Sequence, residues 1–89
     1  MILQIDKARD VPEGVPTATK SDFIDNVVRT TYVERGIEVH LADGTILSLG
    51  YDSGGRLALY NYLTDYSEYS ISQVWLLNDE GKTLSKLFN

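Results

Sequence analysis

The stretch Ile37-Glu38-Val39-His40-Leu41-Ala42-Asp43-Gly44-Thr45-Ile46-Leu47-Ser48-Leu49 decides how the centre of this chain folds. Ile37, Val39 and Leu41 alternate with Glu38 and His40, the period-two pattern of a strand that buries one face. The turn that follows admits two registers. A three-residue loop Ala42-Asp43-Gly44, with Gly44 left-handed, sets Leu41 opposite Thr45, Val39 opposite Leu47 and Ile37 opposite Leu49. A two-residue Asp43-Gly44 loop sets Val39 against Ser48 and Ile37 against Gly50. Only the first keeps both apolar sets on one face, so a three-residue hairpin is predicted.

Working upstream, Val27-Val28-Arg29-Thr30-Thr31-Tyr32-Val33 is rich in the β-branched and aromatic side chains that suit a pleated surface. Glu34-Arg35-Gly36 supplies its turn, with Gly36 expected to take a positive φ. Residues 1–6 alternate weakly and read as a short strand. Residues 7–20 hold Pro12, Gly14 and Pro16 and read as an irregular loop. Ser21 is placed to cap a single helical turn through Asp25.

Downstream, Gly50-Tyr51-Asp52-Ser53-Gly54-Gly55 interrupts the strand pattern. Beyond it, Leu59, Tyr62, Leu63 and Tyr66 fall within one arc at helical spacing, with Asn61, Thr64 and Asp65 opposite, which predicts a helix near residues 55–67. Ile71-Ser72-Gln73-Val74-Trp75-Leu76-Leu77 reads as a strand whose apolar end is buried on both faces. A turn at residues 78–81 returns the chain as an edge strand, where Lys82 and Lys86 discourage pairing. The expected class is therefore α+β in a single domain over residues 1–89: a small antiparallel sheet of four to six short strands packed against one helix.

With 89 residues, 43% of them hydrophobic, the chain has material for one modest core. It contains no cysteine, which removes disulfides, thiolate chemistry and cysteine-based zinc sites. Charges appear by Asp6, too early for a signal-peptide core, and no apolar run is long enough to span a bilayer, so a cytoplasmic location without membrane attachment is expected. The formal charge is −5. Within residues 36–81, Glu38, Asp43, Asp52, Asp65, Glu68, Asp79 and Glu80 face a single base, Arg56. With no basic cluster, direct nucleic-acid binding is not expected, whereas a basic protein partner is.

No nucleophile–base pair is visible, and His40 is the only histidine, on the polar phase of its strand. No catalytic, metal or cofactor site is therefore predicted. The leading functional expectation is a non-enzymatic protein that binds a basic surface. An inhibitor or immunity-like protein would work this way, as would a phage or mobile-element accessory protein that blocks a nucleic-acid-handling enzyme. Asp52, Tyr62, Asp65, Glu68, Tyr69, Asp79 and Glu80 are its candidate contact residues, because tyrosine rings and carboxylates together suit Arg and Lys. Two other readings stay open. Ser53, Gly54, Gly55 and Arg56 precede the predicted helix and would suit a nucleotide or phosphate. The apolar strand Val74-Trp75-Leu76-Leu77, or an uncovered sheet face, would suit a homo-oligomeric structural subunit.

Overall fold

The computed structural model describes residues 1–9, 19–34, 36–51, 57–60 and 69–88. These form eight strands: β1 (Ile2–Arg9), β2 (Thr19–Ile24), β3 (Val27–Val33), β4 (Gly36–Leu41), β5 (Ile46–Tyr51), β6 (Leu57–Tyr60), β7 (Tyr69–Leu77) and β8 (Thr83–Phe88). Pairing is antiparallel throughout. One sheet has the order β2-β1-β7-β8 and the other β3-β4-β5-β6.

The two sheets share one core. Leu3, Ile5, Ile24, Val74 and Leu76 from the first sheet meet Val27, Ile37, Val39, Leu47 and Leu49 from the second. Burying each such side chain stabilises the fold by about 1.5–3 kcal/mol, which makes this cluster the main source of cohesion in a domain without disulfides. The chain crosses between the sheets at Asp25-Asn26, where Asn26 takes a left-handed φ of 63°. Asparagine is among the few non-glycine residues that adopt this conformation readily. Met1 and Val27 exchange two backbone hydrogen bonds of 2.8 and 2.9 Å, tying the start of the first sheet to the second.

The central hairpin has the register the sequence predicts. Val39 stands opposite Leu47 and Ile37 opposite Leu49. Leu41 N donates to Thr45 O at 2.9 Å, and Gly44 has φ +90°. The terminal hairpin also forms, with β8 at the edge and both Leu76 and Leu77 buried.

The α+β expectation is overturned: every regular element among the described residues is a strand. Leu57–Tyr60, at the start of the predicted helix near residues 55–67, is β6, and it pairs with β5 with Leu59 opposite Leu49 and Leu57 opposite Tyr51. Helical spacing of a few apolar residues is a local signal. The unpaired peptide groups along β5 offer a tertiary one, and four residues are enough to use it. The rest of that prediction, residues 61–67, lies outside the described residues.

Three smaller expectations also change. Residues 7–9 and 19–20 of the expected loop are ladder residues, with Lys7 opposite Lys20 and Ala8 opposite Thr19. Residues 10–18, with both prolines, lie outside the described residues. Ser21 belongs to β2 rather than to a helical cap. Gly36 is needed for space, not for φ: a Cβ there would run into the carbonyl oxygen of Leu49 and lie 2.8 Å from Gly50 Cα.

Candidate functional site

Three connections meet at one end of the two sheets. Ala42 N, in the β4–β5 turn, donates to Asn26 O in the β2–β3 connection at 2.9 Å. Next to Asn26, Val27 is bonded to Met1, and the Met1 ammonium lies 3.1 Å from Asp79 in the β7–β8 turn. Asp25, Asp43, Asp79 and Glu80 are thereby gathered at this end, all exposed. Asp25 and Asp43 also line a shared recess with Asn26, Leu41 and Ala42. Among the described residues, these connections and their ends carry two positive charges, the Met1 ammonium and Lys82, against four carboxylates.

Each carboxylate sits where its turn needs it. Asp43 Oδ1 accepts from Thr45 N at 2.8 Å, and hydrogen bonds from Thr45, side chain first and then backbone, hold the Asp43 carboxyl below its ordinary value. It therefore remains charged in mildly acidic solution. The β7–β8 turn is organised by Asn78, whose Oδ1 accepts from Glu80 N at 3.0 Å and Lys82 N at 2.9 Å. Glu80 itself is exposed. Asp79 is 89% exposed, so its ion pair with Met1 is screened and contributes little to stability.

Of the remaining described acids, Asp6, Asp22 and Glu38 have side-chain partners on their own sheets, and Glu34 is exposed after β3. On the outer face of the first sheet, Asp6 accepts from Ser21 Oγ at 2.6 Å, Gln4 Nε2 at 2.8 Å and Trp75 Nε1 at 3.0 Å. Burial pushes its carboxyl up, but the bonds from Ser21, Gln4 and Trp75 together outweigh that and hold it below the usual range. Buried Lys7 pairs with Asp22 at 2.8 Å. Glu38 Oε1 lies 3.7 Å from His40 Nε2 along the outer face of β4.

Of the residues singled out from sequence, Asp79 and Glu80 belong to the acidic end. Tyr69 opens β7 opposite Arg9, while Leu77 closes that strand opposite Ile2. Nine strand residues at about 3.3 Å each put Tyr69 roughly 25 Å from the acidic turn, so the two do not form one contact patch. Asp52, Tyr62, Asp65 and Glu68, and the anion-site residues Ser53, Gly54, Gly55 and Arg56, lie outside the described residues. Sequence reasoning does not single out Asp25 and Asp43, and their neighbourhood with Asp79 follows from strand order, which no local pattern announces. The strand Val74-Trp75-Leu76-Leu77 lies between β1 and β8 with Val74, Leu76 and Leu77 buried, so it is not free to associate.

Among the described residues no three His, Asp or Glu side chains are placed to hold a metal ion. No buried side-chain nitrogen or oxygen there lacks a hydrogen-bond partner, so none is left over to mark a ligand. No described helix is long and apolar enough to cross a membrane. No protein-family model matches the chain, nor does any curated protein or solved structure.

Proposed function

We propose that this protein is a non-enzymatic binding domain that docks its acidic end onto a basic protein surface. The observation that carries the reading is the convergence of Asp25, Asp43, Asp79 and Glu80 from three separate connections. Carboxylates on short turns of a β framework are held in fixed relative positions, which favours steering toward a cationic patch and costs little ordering on contact. A partner of matching chemistry is an enzyme whose phosphate-binding cleft is lined with Arg and Lys. Occupying that cleft would inhibit it, as an immunity-like or mobile-element accessory protein would in the cytoplasm.

The test places a photo-crosslinking residue at Ala42, in the middle of the acidic end, and irradiates the protein in cell extract. The expected adduct is a protein of high isoelectric point. Its yield falls at least tenfold between 50 and 500 mM salt, because exposed charges are screened within about a Debye length. It falls likewise in a variant carrying Asp25→Asn, Asp43→Asn, Asp79→Asn and Glu80→Gln. Equal capture by that variant, or no adduct at any salt concentration, overturns the proposal.

A further inference from the structure

The second sheet ends at β3, and the peptide groups along its open side follow from register. Leu41 N bonds to Thr45 O, so Ile37, Val39 and Leu41 turn their backbone groups toward β5, and Gly36, Glu38 and His40 turn theirs toward β3. Their partners Val33, Thr31 and Arg29 are thereby satisfied, and by strand alternation Thr30 and Tyr32 direct N–H and C=O outward. Met1 covers this side only at Val27. Side-chain exposure points the same way: Val28, Tyr32 and Val33 are 55%, 69% and 46% exposed, and all three lie on this one strand. The edge strands of the first sheet each expose one large apolar residue, Phe23 on β2 and Leu84 on β8, against three on β3, and carry Lys20, Asp22 and Lys86 besides.

We propose that β3 pairs with β3 of a second copy, antiparallel about a two-fold axis at Thr31, to join two four-stranded sheets into one of eight strands. This register is selected by the open groups themselves. It sets Thr30 opposite Tyr32 of the partner copy, and Tyr32 opposite its Thr30, so that both outward residues are satisfied reciprocally. It also sets Thr31 against Thr31 and Arg29 against Val33, with no like charges facing. Met1 does not interfere, because the paired segment is residues 29–33. Such a contact is isologous and closes on itself, which suits a dimer rather than a filament. It is a small interface, so association is expected to be concentration-dependent. The acidic end stays outside it, and the inference does not depend on the proposed function.

Sedimentation of the full chain between about 10 μM and 1 mM tests this. The expected mass rises from 10.0 kDa toward twice that value. Over the same range, exchange of the Thr30 and Tyr32 amide protons slows at least tenfold, while that of the amides already bonded to β4 is unchanged. Thr31→Lys alone and Thr31→Glu alone are expected to sediment as monomers, and their equimolar mixture as a heterodimer, since position 31 faces itself. A monomer at every concentration overturns the proposal. So does a dimer in which Thr30 and Tyr32 exchange stays fast, or one that Thr31→Lys leaves intact. The exchange measurement uses the unaltered protein, so it decides the matter even if a variant fails to fold.

Discussion

The two sheets are held in different ways. The first is laced by side chains across its outer face: Asp6 bonded to Ser21, Gln4 and Trp75, and Lys86 stacked 4.8 Å above the Trp75 ring. Even its irregularity is patched. Ser72 is the extra residue where β7 slips against β1, and its hydroxyl donates to the Asp6 carbonyl oxygen at 3.0 Å. The slip also lets Ile71 and Val74, three residues apart, both pack toward the core. The second sheet relies on backbone fit instead, through the close approach of Gly36 to Leu49 and Gly50 and through the left-handed Gly44 in its hairpin turn. One sheet is sensitive to side-chain chemistry, the other to a single methyl group.

The sharpest way to break this contrast is Gly36→Ala. The added Cβ meets backbone, which cannot rotate aside, so β4 must shift from β5 and disturb Ile37 and Leu49 beneath. Overpacking typically costs about 1–3 kcal/mol, and an obstacle made of backbone places this substitution at the upper end of that range. Urea unfolding is expected to show a loss of that order, and a loss below about 1 kcal/mol would mean that the strands do not approach as described.

That same contrast explains what the sequence makes legible. The Ile37-to-Leu49 hairpin is a local object: its register is set by alternation and one glycine, both contiguous in the chain, and the expected pairing is the one observed. The first sheet is assembled from Asp6, Ser21 and Trp75, whose partners lie 15 and 69 positions apart, and no periodicity announces such pairs. The strand β6 is hidden for a related reason. Its four residues carry too few alternations to outvote a helical arc, and what recruits them is the open edge of β5. The same holds at the site. That the Asp43 and Asp79 turns emerge at the same end follows from Leu77 of β7 lying opposite Ile2 of β1 and from Met1 bonding to Val27, pairings distant in the chain.

Asp6→Asn probes the first sheet. An amide in place of the carboxylate presents N–H groups to at least one of three donors, so the network loses charge-assisted bonds and gains a clash of donors. The expected cost is about 1–3 kcal/mol at pH 7. The effect must also depend on pH with a definite sign. Because the folded-state pKa of Asp6 is depressed, its contribution is complete above the unfolded value of about 4 and is lost as pH falls through the folded value. The melting-temperature gap between wild type and Asp6→Asn is therefore expected to be wide at pH 6 and to narrow below about pH 4. A gap that is constant between pH 6 and pH 3 would show that the carboxylate charge is not what the network uses.

The smallest effect belongs to Lys86. Its ammonium sits over the ring of Trp75 at an exposed strand edge, a geometry that contributes about 0.5–1 kcal/mol. Lys86→Ala removes that attraction together with the packing of the lysine stem on the indole. Lys82→Ala is the matched control. It deletes the same charge at the start of the same hairpin arm, but its described role runs through the backbone, which donates to Asn78 Oδ1 and is untouched by the substitution. The difference between the two variants in urea midpoint therefore isolates the ring contact from the general loss of a positive charge on an acidic protein. Lys86→Ala is expected to be the less stable of the two, with Trp75 emission shifted to longer wavelength as water reaches the ring. Lys86→Arg should restore both properties, since a guanidinium stacks at least as well as an ammonium. Equal midpoints for Lys86→Ala and Lys82→Ala would reduce the stack to a coincidence of position and leave Asp6 as the sole anchor of that face.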